Sequence, residues 1–162
     1  MIIFDSSTLI LLAKIELLKE IARQLEVVIS TEVERESTVK DTFDARLIKK
    51  LIEDGKIRVA KVEKEKEKKK LKDDFNIGEG EISALLLAKN KNFSLATDDG
   101  PTIKVCKILD VKFTTAIHFL IRTYERNILN KDIALAKLEK LEKYGRYSSR
   151  IIDDVSRRIK GG

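Results

Sequence analysis

Acidic residues stand directly after two apolar segments of this sequence that have the composition of buried β-strands. Asp5 follows residues 1–4, and Asp98 with Asp99 follows residues 93–97. If the strands are parallel, these carboxylates share one edge of the sheet, which is where open α/β folds bind their ligands. Each of the three could instead cap the helix that follows it, because Asp is a common N-cap residue.

A fourth acid, Glu81, is predicted to face the sheet from a helix over about residues 79–90. The positions three, four and seven residues beyond it are Ala84, Leu85 and Ala88, so its carboxylate lies on the apolar stripe of that helix. A carboxylate seldom occupies such a position without a partner. Glu81 is therefore a candidate member of the same acidic group.

A fifth acid comes from a short helix predicted over residues 31–39. Glu36 shares a helix face with Val33, which lies one turn earlier. Glu32 and Glu34 lie close by on the same helix, so the pattern leaves open which of the three glutamates joins the group.

Carboxylates that converge in this way point to a divalent-metal site. They raise one another's pKa unless a cation lies among them. Mg²⁺ or Mn²⁺ takes oxygen ligands and also binds phosphate oxygens. Such a cation lowers the pKa of a bound water and stabilises charge on an attacked phosphorus, which gives phosphodiester hydrolysis without a histidine. The one histidine, His118, lies in an apolar helical pattern and is expected to be a packed or surface residue.

Composition indicates a single soluble domain. The chain of 162 residues is 43% hydrophobic, which is enough to bury one sizeable core. No apolar run is long enough for a membrane span, and the N-terminus lacks the features of a signal peptide, so we expect a cytoplasmic protein with no membrane association. The lone cysteine, Cys106, excludes an intrachain disulfide and is expected to fill the core.

The charge balance suits a polyanionic partner. The sequence has 33 basic and 27 acidic residues, which gives a net charge of +6. Residues 61–74 carry a dense mixture of charges, which predicts either a solvated helix or loop or a basic rim for a polyanion.

Apolar periodicity and turn residues predict strands that alternate with helices. This order is typical of βαβ units and predicts an α/β fold, a three-layer α/β/α domain with a central parallel sheet. One domain over residues 1–162 is expected, with a core over about residues 1–126 and a C-terminal helical extension over residues 127–162. The predicted strands are residues 1–4, 26–30, 56–62, 93–97 and 111–115, and the predicted helices are residues 7–25, 31–39, 42–53, 79–90, 101–109, 116–126, 131–143 and 148–160.

Four segments of the sequence, read in order, resemble the successive motifs of a PIN domain, the fold shared by the VapC toxins. The resemblance covers about residues 2–122, and the tail resembles the closing helix of VapC-like members. The segments are IIFDSSTLILLAKI, VVISTEVERES, GEGEISALLLAKN and FSLATDDGPTIKVCKILDVKFTTAIHFL, and the tail is YGRYSSRIIDDVSRRI.

The resemblance implies a metal-dependent ribonuclease with a doubly wound parallel sheet and a quartet of acids. The implied catalytic residues are Asp5, Glu36, Glu81 and Asp98, with Asp99 sharing or replacing the role of Asp98. Asp5, Glu81, Asp98 and Asp99 would hold Mg²⁺ or Mn²⁺, Glu36 would position water, and Ser6 and Thr97 match small polar positions that support the site.

Partners follow from the same resemblance. RNA would be held by basic residues within residues 61–72 and by Arg146, Arg150, Arg157 and Arg158. A toxin role implies an antitoxin protein that occludes the cleft, and PIN domains often form homodimers.

Two other functions are compatible with parts of the pattern. A non-catalytic module that binds RNA or protein could keep the fold while its acids only cap helices. A phosphatase that uses Asp5 as a nucleophile, similar to the haloacid dehalogenases, needs a second acid two residues later, where this chain has Ser7.

Overall fold

The computed structural model describes residues 1–161 and contains five β-strands and ten α-helices there. The strands are β1 (Ile2–Phe4), β2 (Val27–Ser30), β3 (Ile57–Ala60), β4 (Ser94–Ala96) and β5 (Phe113–Thr114). The helices are α1 (Ser6–Lys14), α2 (Leu18–Gln24), α3 (Thr31–Thr38), α4 (Phe43–Glu53), α5 (Glu65–Asp74), α6 (Glu79–Lys91), α7 (Gly100–Leu109), α8 (Ala116–Glu125), α9 (Lys131–Tyr144) and α10 (Ser149–Gly161).

All five strands are parallel, in the order β3-β2-β1-β4-β5. The central strand β1 pairs with two neighbours, since Ile3 is opposite Val28 of β2 and Leu95 of β4. Helices flank this sheet, which confirms the predicted three-layer α/β/α fold. The chain leaves β1 towards β2 and β3, then crosses back to β4 and β5. The topological switch point, where such sheets bind ligands, therefore lies between the carboxyl ends of β1 and β4.

Helix α6 forms the middle of the core and fixes one wall of that switch point. Residues 82–88 are buried without interruption, and the helix contacts β1, β2 and β4. It ends at Asn92, whose left-handed backbone (φ 57°) caps the last turn. Because the helix is buried on nearly all sides, its first turn is the part that can offer polar groups to a ligand.

The single helix predicted over residues 7–25 is wrong, because the chain forms two helices there. The break lies at Glu16, which has a left-handed φ of 60°. Ile15, Leu17 and Leu18 flank it and are fully buried, so apolar periodicity continues through the bend. Periodicity reports which side chains are buried, not whether the backbone keeps one axis. The side chain of Lys137 donates to the carbonyl oxygens of Ile15 and Glu16, at 3.1 and 2.9 Å.

The charged segment at residues 61–74 contains a solvated helix, α5, which is one of the two structures predicted for it. Leu71 is its one buried residue and anchors it, while its basic and acidic side chains remain largely exposed. This helix contacts α6, so its charged face lies beside the helix that carries Glu81.

Helices α9 and α10 pack into the same apolar core as the sheet. Ala134, Leu138 and Leu141 of α9, with Ile152 and Val155 of α10, belong to one contiguous buried cluster with the strand residues. Across residues 1–161, the structure has no helix with the length and apolar character that crossing a membrane requires.

Candidate metal centre

Asp5 begins the site as a buried carboxylate at the carboxyl end of the central strand. Its side chain is 0% exposed, and its Oδ1 accepts the Thr8 amide at 2.9 Å as the N-cap of α1. Its Oδ2 is also buried and has no hydrogen-bond partner among residues 1–161. A buried carboxylate oxygen without a partner is costly, so this atom marks a place for a missing donor or cation.

Ser6, the residue after Asp5, holds a second acidic side chain, that of Glu36. Ser6 Oγ donates to Glu36 Oε2 at 2.7 Å, across 30 residues of sequence. The Glu36 carboxylate also lies against Gly80, where an added Cβ would be 2.5 Å from either of its oxygens. Of the three glutamates on α3, Glu36 is therefore the one that contacts Ser6, the neighbour of Asp5, whereas Glu32 contacts Thr31 at 2.9 Å and Lys68 at 3.7 Å.

Glu81 lies in the first turn of α6 and is half-buried. Burial raises the pKa of its carboxyl group, and the neighbouring carboxylates of Glu36 and Asp99 raise it further. Its Oε2 occupies the space in which Gly78 would otherwise carry a side chain. The alternating glycines of Gly78-Glu79-Gly80-Glu81 thus leave room for two acidic side chains.

Asp98 follows β4, as predicted, but both of its carboxylate oxygens are already hydrogen-bonded. Thr8 Oγ1 donates to Oδ2 at 2.8 Å, and the Ala116 amide lies 3.2 Å from each oxygen. The Tyr147 hydroxyl donates to Oδ1. These contacts tie α1, β4, α8 and the C-terminal extension to a single carboxylate.

Asp99 keeps one oxygen free. It is the N-cap of α7, and its Oδ2 accepts the Thr102 amide at 3.1 Å and the Thr102 hydroxyl at 2.6 Å. No hydrogen bond within residues 1–161 reaches its Oδ1. Thr97, predicted as a supporting residue, accepts the Asp99 amide on its Oγ1 at 3.2 Å. Asp99 thus both caps a helix and presents an oxygen near Glu81.

Two residues of this region were not predicted from the sequence. Thr8 joins Asp5 to Asp98, and its position three residues after an N-cap Asp is the one signal that could have indicated a contact. Tyr147 reaches Asp98 across 49 residues and carries no local signal of that contact. His118, which was predicted to be a packed or surface residue, is exposed on α8.

The donor chemistry fits a hard divalent cation, because every candidate ligand atom is a carboxylate oxygen. Asp5, Glu36, Glu81 and Asp99 each have a carboxylate oxygen for which no hydrogen bond from another side chain is found among residues 1–161. Between Met1 and Gly161, however, no three His, Cys, Asp or Glu side chains stand in an arrangement ready to hold a metal ion. Glu36 is turned to Ser6, and Asp98 is turned to its own hydrogen-bond donors.

The burial of Asp5 predicts a pH-dependent stability. Burial raises its pKa from 3.8 to about 6, and the charge of Glu81 adds to the increase. The folded state therefore binds this proton more tightly than the unfolded state, and the resulting stabilisation is lost as the pH rises through about 6. Asp5→Asn keeps the capping oxygen and cannot ionise, so the metal-free variant should be more stable than the wild type at pH 7, by about 2–3 kcal/mol.

Urea unfolding at pH 4 to 7 measures this difference, which should narrow as the pH falls. Asp132→Asn is the control, since Asp132 is an exposed residue in the first turn of α9. A difference between Asp5→Asn and wild type that stays constant with pH would contradict the assignment of a raised pKa to Asp5.

Comparison with known proteins agrees with the fold described above. A family model described as a PIN domain matches residues 1–160, almost the whole chain. The search of curated proteins finds no significant match. The resemblance inferred from the motifs is thereby confirmed at the level of the family. This chain belongs to the PIN domain family, whose members are commonly nucleases.

Proposed function

We propose that this chain is a metal-dependent endoribonuclease that hydrolyses RNA phosphodiester bonds with Mg²⁺ or Mn²⁺. The observation that carries the proposal is the fully buried Asp5 carboxylate, with an unpartnered oxygen, at the switch point of a parallel sheet. Glu36, Glu81 and Asp99 lie around the same region and raise the local density of negative charge. A divalent cation relieves that repulsion and also attracts a phosphate.

The hydrogen bonds support distinct roles for the acids. Asp5, Glu81 and Asp99 would hold the cation through their free oxygens, whereas Asp98 is occupied by donors and is better suited to positioning. Glu36 is exposed and fixed by Ser6, so it would orient a water molecule beside the scissile phosphate. When bound, the cation would lower the pKa of water and stabilise charge on the phosphate.

A surface with more basic than acidic side chains lies beside the acids and supports RNA as the substrate. A cavity of about 320 Å³ lies between α3, α5 and α6, and it is lined by the basic residues Arg35, Lys68, Lys69 and Lys72 and by the acidic residues Glu32, Glu65 and Glu79. Lys68 pairs with Glu32 and Glu65, and Lys72 pairs with Glu79. Lys69 and Lys70 have no ion-pair partner among residues 1–161. These free cations would hold the phosphate backbone.

The predicted arginines of the tail divide into two kinds. Arg157 pairs with Asp154, and Arg158 pairs with Glu125. Arg146 and Arg150 make no ion pair within the described part of the chain. The latter two are therefore the stronger candidates for RNA contact.

A toxin role, with an antitoxin that occludes the cleft, extends the proposal. It rests on the resemblance of the motifs to VapC toxins. A homodimer is proposed on the same basis, and light scattering of the purified chain would measure its mass.

A non-catalytic module that binds RNA or protein is the second candidate function. The observation in its favour is that Asp5 and Asp99 both cap helices and that Asp98 is saturated with hydrogen bonds. In such a module the acids would stabilise helix ends and bind no cation. Metal binding therefore separates the two candidates.

We expect Mn²⁺ to stabilise the wild-type chain and to support cleavage of RNA. A cation that binds only the native state raises the free energy of unfolding by about 2.7 kcal/mol when its concentration is about one hundred times the Kd. Asp5→Asn should abolish this shift and lower kcat by at least about a hundredfold, because it removes a ligand charge from the reacting centre. Differential scanning fluorimetry with increasing Mn²⁺ and cleavage of a labelled RNA measure the two effects, with Asp132→Asn as control.

The same titration tests the roles of the two adjacent acids. Asp98→Asn should raise the Mn²⁺ concentration at half of the maximal shift by about tenfold, because Asp98 only positions the ligand Asp5. Asp99→Asn should raise it further, because it removes the charge of a ligand itself. A melting temperature of the wild type that does not respond to Mn²⁺ would favour the binding module.

Neutralising the free lysines of α5 should weaken RNA binding uniformly across sequences. In an Asp5→Asn background that prevents cleavage, Lys69→Gln with Lys70→Gln should reduce the salt dependence of log Kd by about 0.7 for each phosphate that the protein no longer neutralises. Fluorescence anisotropy over a salt series gives that slope. Lys91→Gln at the other end of α6 is the control, and an equal decrease in both variants would argue against this surface.

Expression of a toxin of this kind should arrest the growth of a bacterial host, because cleavage of cellular RNA stops protein synthesis. Asp5→Asn should restore growth while accumulating to at least the level of the wild-type chain. Optical density and the integrity of total RNA are the measurements. If both chains permit the same growth as an empty vector, the toxin role is excluded, and a nuclease that acts in RNA processing would remain.

A further inference from the structure

Tyr147 connects the C-terminal extension to the acidic group. It lies in the link between α9 and α10 and is half-buried. Its hydroxyl donates to Asp98 Oδ1 and accepts the Ile117 amide at 3.1 Å. The hydroxyl is therefore held from two sides, and burial beside the Asp98 charge raises the pKa of Tyr147, so it remains a donor.

The link is shaped to seat this side chain. An added Cβ at Gly145 would lie 3.1 Å from the Tyr147 ring at Cδ2 and 2.7 Å from the Leu141 carbonyl oxygen. Gly145 has a φ of −95°, which any residue adopts, so the demand for glycine here is for space rather than for backbone conformation. Because Gly145 has no side chain, the ring of Tyr147 can lie against the backbone of the link.

From Asp98 the contacts continue to the buried acid of the central strand. Asp98 Oδ2 accepts the hydroxyl of Thr8 at 2.8 Å, and the amide of Thr8 donates to Asp5 Oδ1 at 2.9 Å. Thr8 is fully buried, so water cannot readily replace its hydroxyl contact. Tyr147, Asp98, Thr8 and Asp5 form one continuous chain of hydrogen bonds from the tail to the candidate metal centre.

We propose that Tyr147 is a positioning residue, through which the C-terminal extension completes the active centre. Tyr147 holds Asp98, Asp98 holds the first turn of α1 through Thr8, and that turn aims Asp5. The catalytic consequence rests on the proposed nuclease function, whereas the positioning of α1 does not. Without the Tyr147 hydroxyl, Asp98 keeps the Ala116 amide and the Thr8 hydroxyl as donors but loses the contact that holds Oδ1 from the side of the tail.

The chain offers a matched control in a second tyrosine. The Tyr124 hydroxyl donates to the Ile159 carbonyl oxygen at 3.1 Å, so it also ties the tail to the domain, but it contacts none of the acids. Tyr147→Phe and Tyr124→Phe each delete one hydroxyl and keep the ring. A merely structural role of Tyr147 predicts the same outcome for both.

The first measurement is made on the metal-free chain. Amide hydrogen exchange at Thr8, followed by NMR, should become about tenfold faster in Tyr147→Phe and remain within about twofold of wild type in Tyr124→Phe. In Mn²⁺, Tyr147→Phe should lower kcat for RNA cleavage about tenfold with KM within about twofold, because geometry and not RNA binding is altered. Tyr124→Phe should leave both parameters within about twofold of wild type.

Coupling through Thr8 is tested with a double-mutant cycle. In a Thr8→Val background the path to Asp5 is already cut, so adding Tyr147→Phe should change kcat by less than about twofold. The inference would be overturned if the decreases in kcat caused by Thr8→Val and Tyr147→Phe multiplied in the double variant. It would also be overturned if Tyr147→Phe and Tyr124→Phe had the same Thr8 exchange rate and the same kcat. If the wild-type chain does not cleave RNA while Thr8 exchange responds to Tyr147→Phe as expected, the nuclease proposal fails and the positioning role stands.

Discussion

The structure depends on the first turn of α1 and on the buried Asp5 side chain that caps it. Asp5 directly follows the central strand and is the N-cap of α1, so its side chain lies where the chain passes from the sheet to the helix. Within that turn, Ser6 reaches Glu36 and Thr8 reaches Asp98. Segments that are 30 and 90 residues away in sequence are thereby drawn to one place. An N-cap residue usually stabilises its helix by about 1 kcal/mol. In this protein the turn that it caps also holds the acidic residues at the carboxyl ends of the strands.

Space is the second constraint on this edge. Helix α6 is buried almost throughout, so its first turn lies tightly against the end of α3. The absence of side chains at Gly78 and Gly80 leaves room for the carboxylates of Glu81 and Glu36. Burial at this edge raises the pKa of Glu81 and of Asp5, and the neighbouring carboxylates add to both increases. Holding these acids close together therefore lowers the stability of the fold at neutral pH, as is typical of functional sites.

The acids at the strand ends could be located from the sequence because their positions follow from short-range rules. Asp5, Asp98 and Asp99 come directly after strands, and parallel strands end at one edge, so their convergence needed no distant information. The choice of Glu36 over Glu32 or Glu34 required the resemblance, because three glutamates on one short helix have similar local patterns. The contact between Tyr147 and Asp98 could not be predicted, since nothing near either residue specifies a partner so far along the chain. The bend at Glu16 was missed because burial is periodic on both sides of it.

The order of the strands also governs when the acidic group of this protein can assemble during its synthesis. Strands β1, β2 and β3 pair in sequence order, but residues 2–4 of β1 must wait for residues 94–96 of β4 to complete the middle of the sheet. Pairing across so long a stretch of chain gives a high contact order, which slows folding. Asp99 and Tyr147 emerge from the ribosome later still. A nascent chain therefore cannot assemble the acidic group, together with the tyrosine that contacts it, until synthesis has passed residue 147.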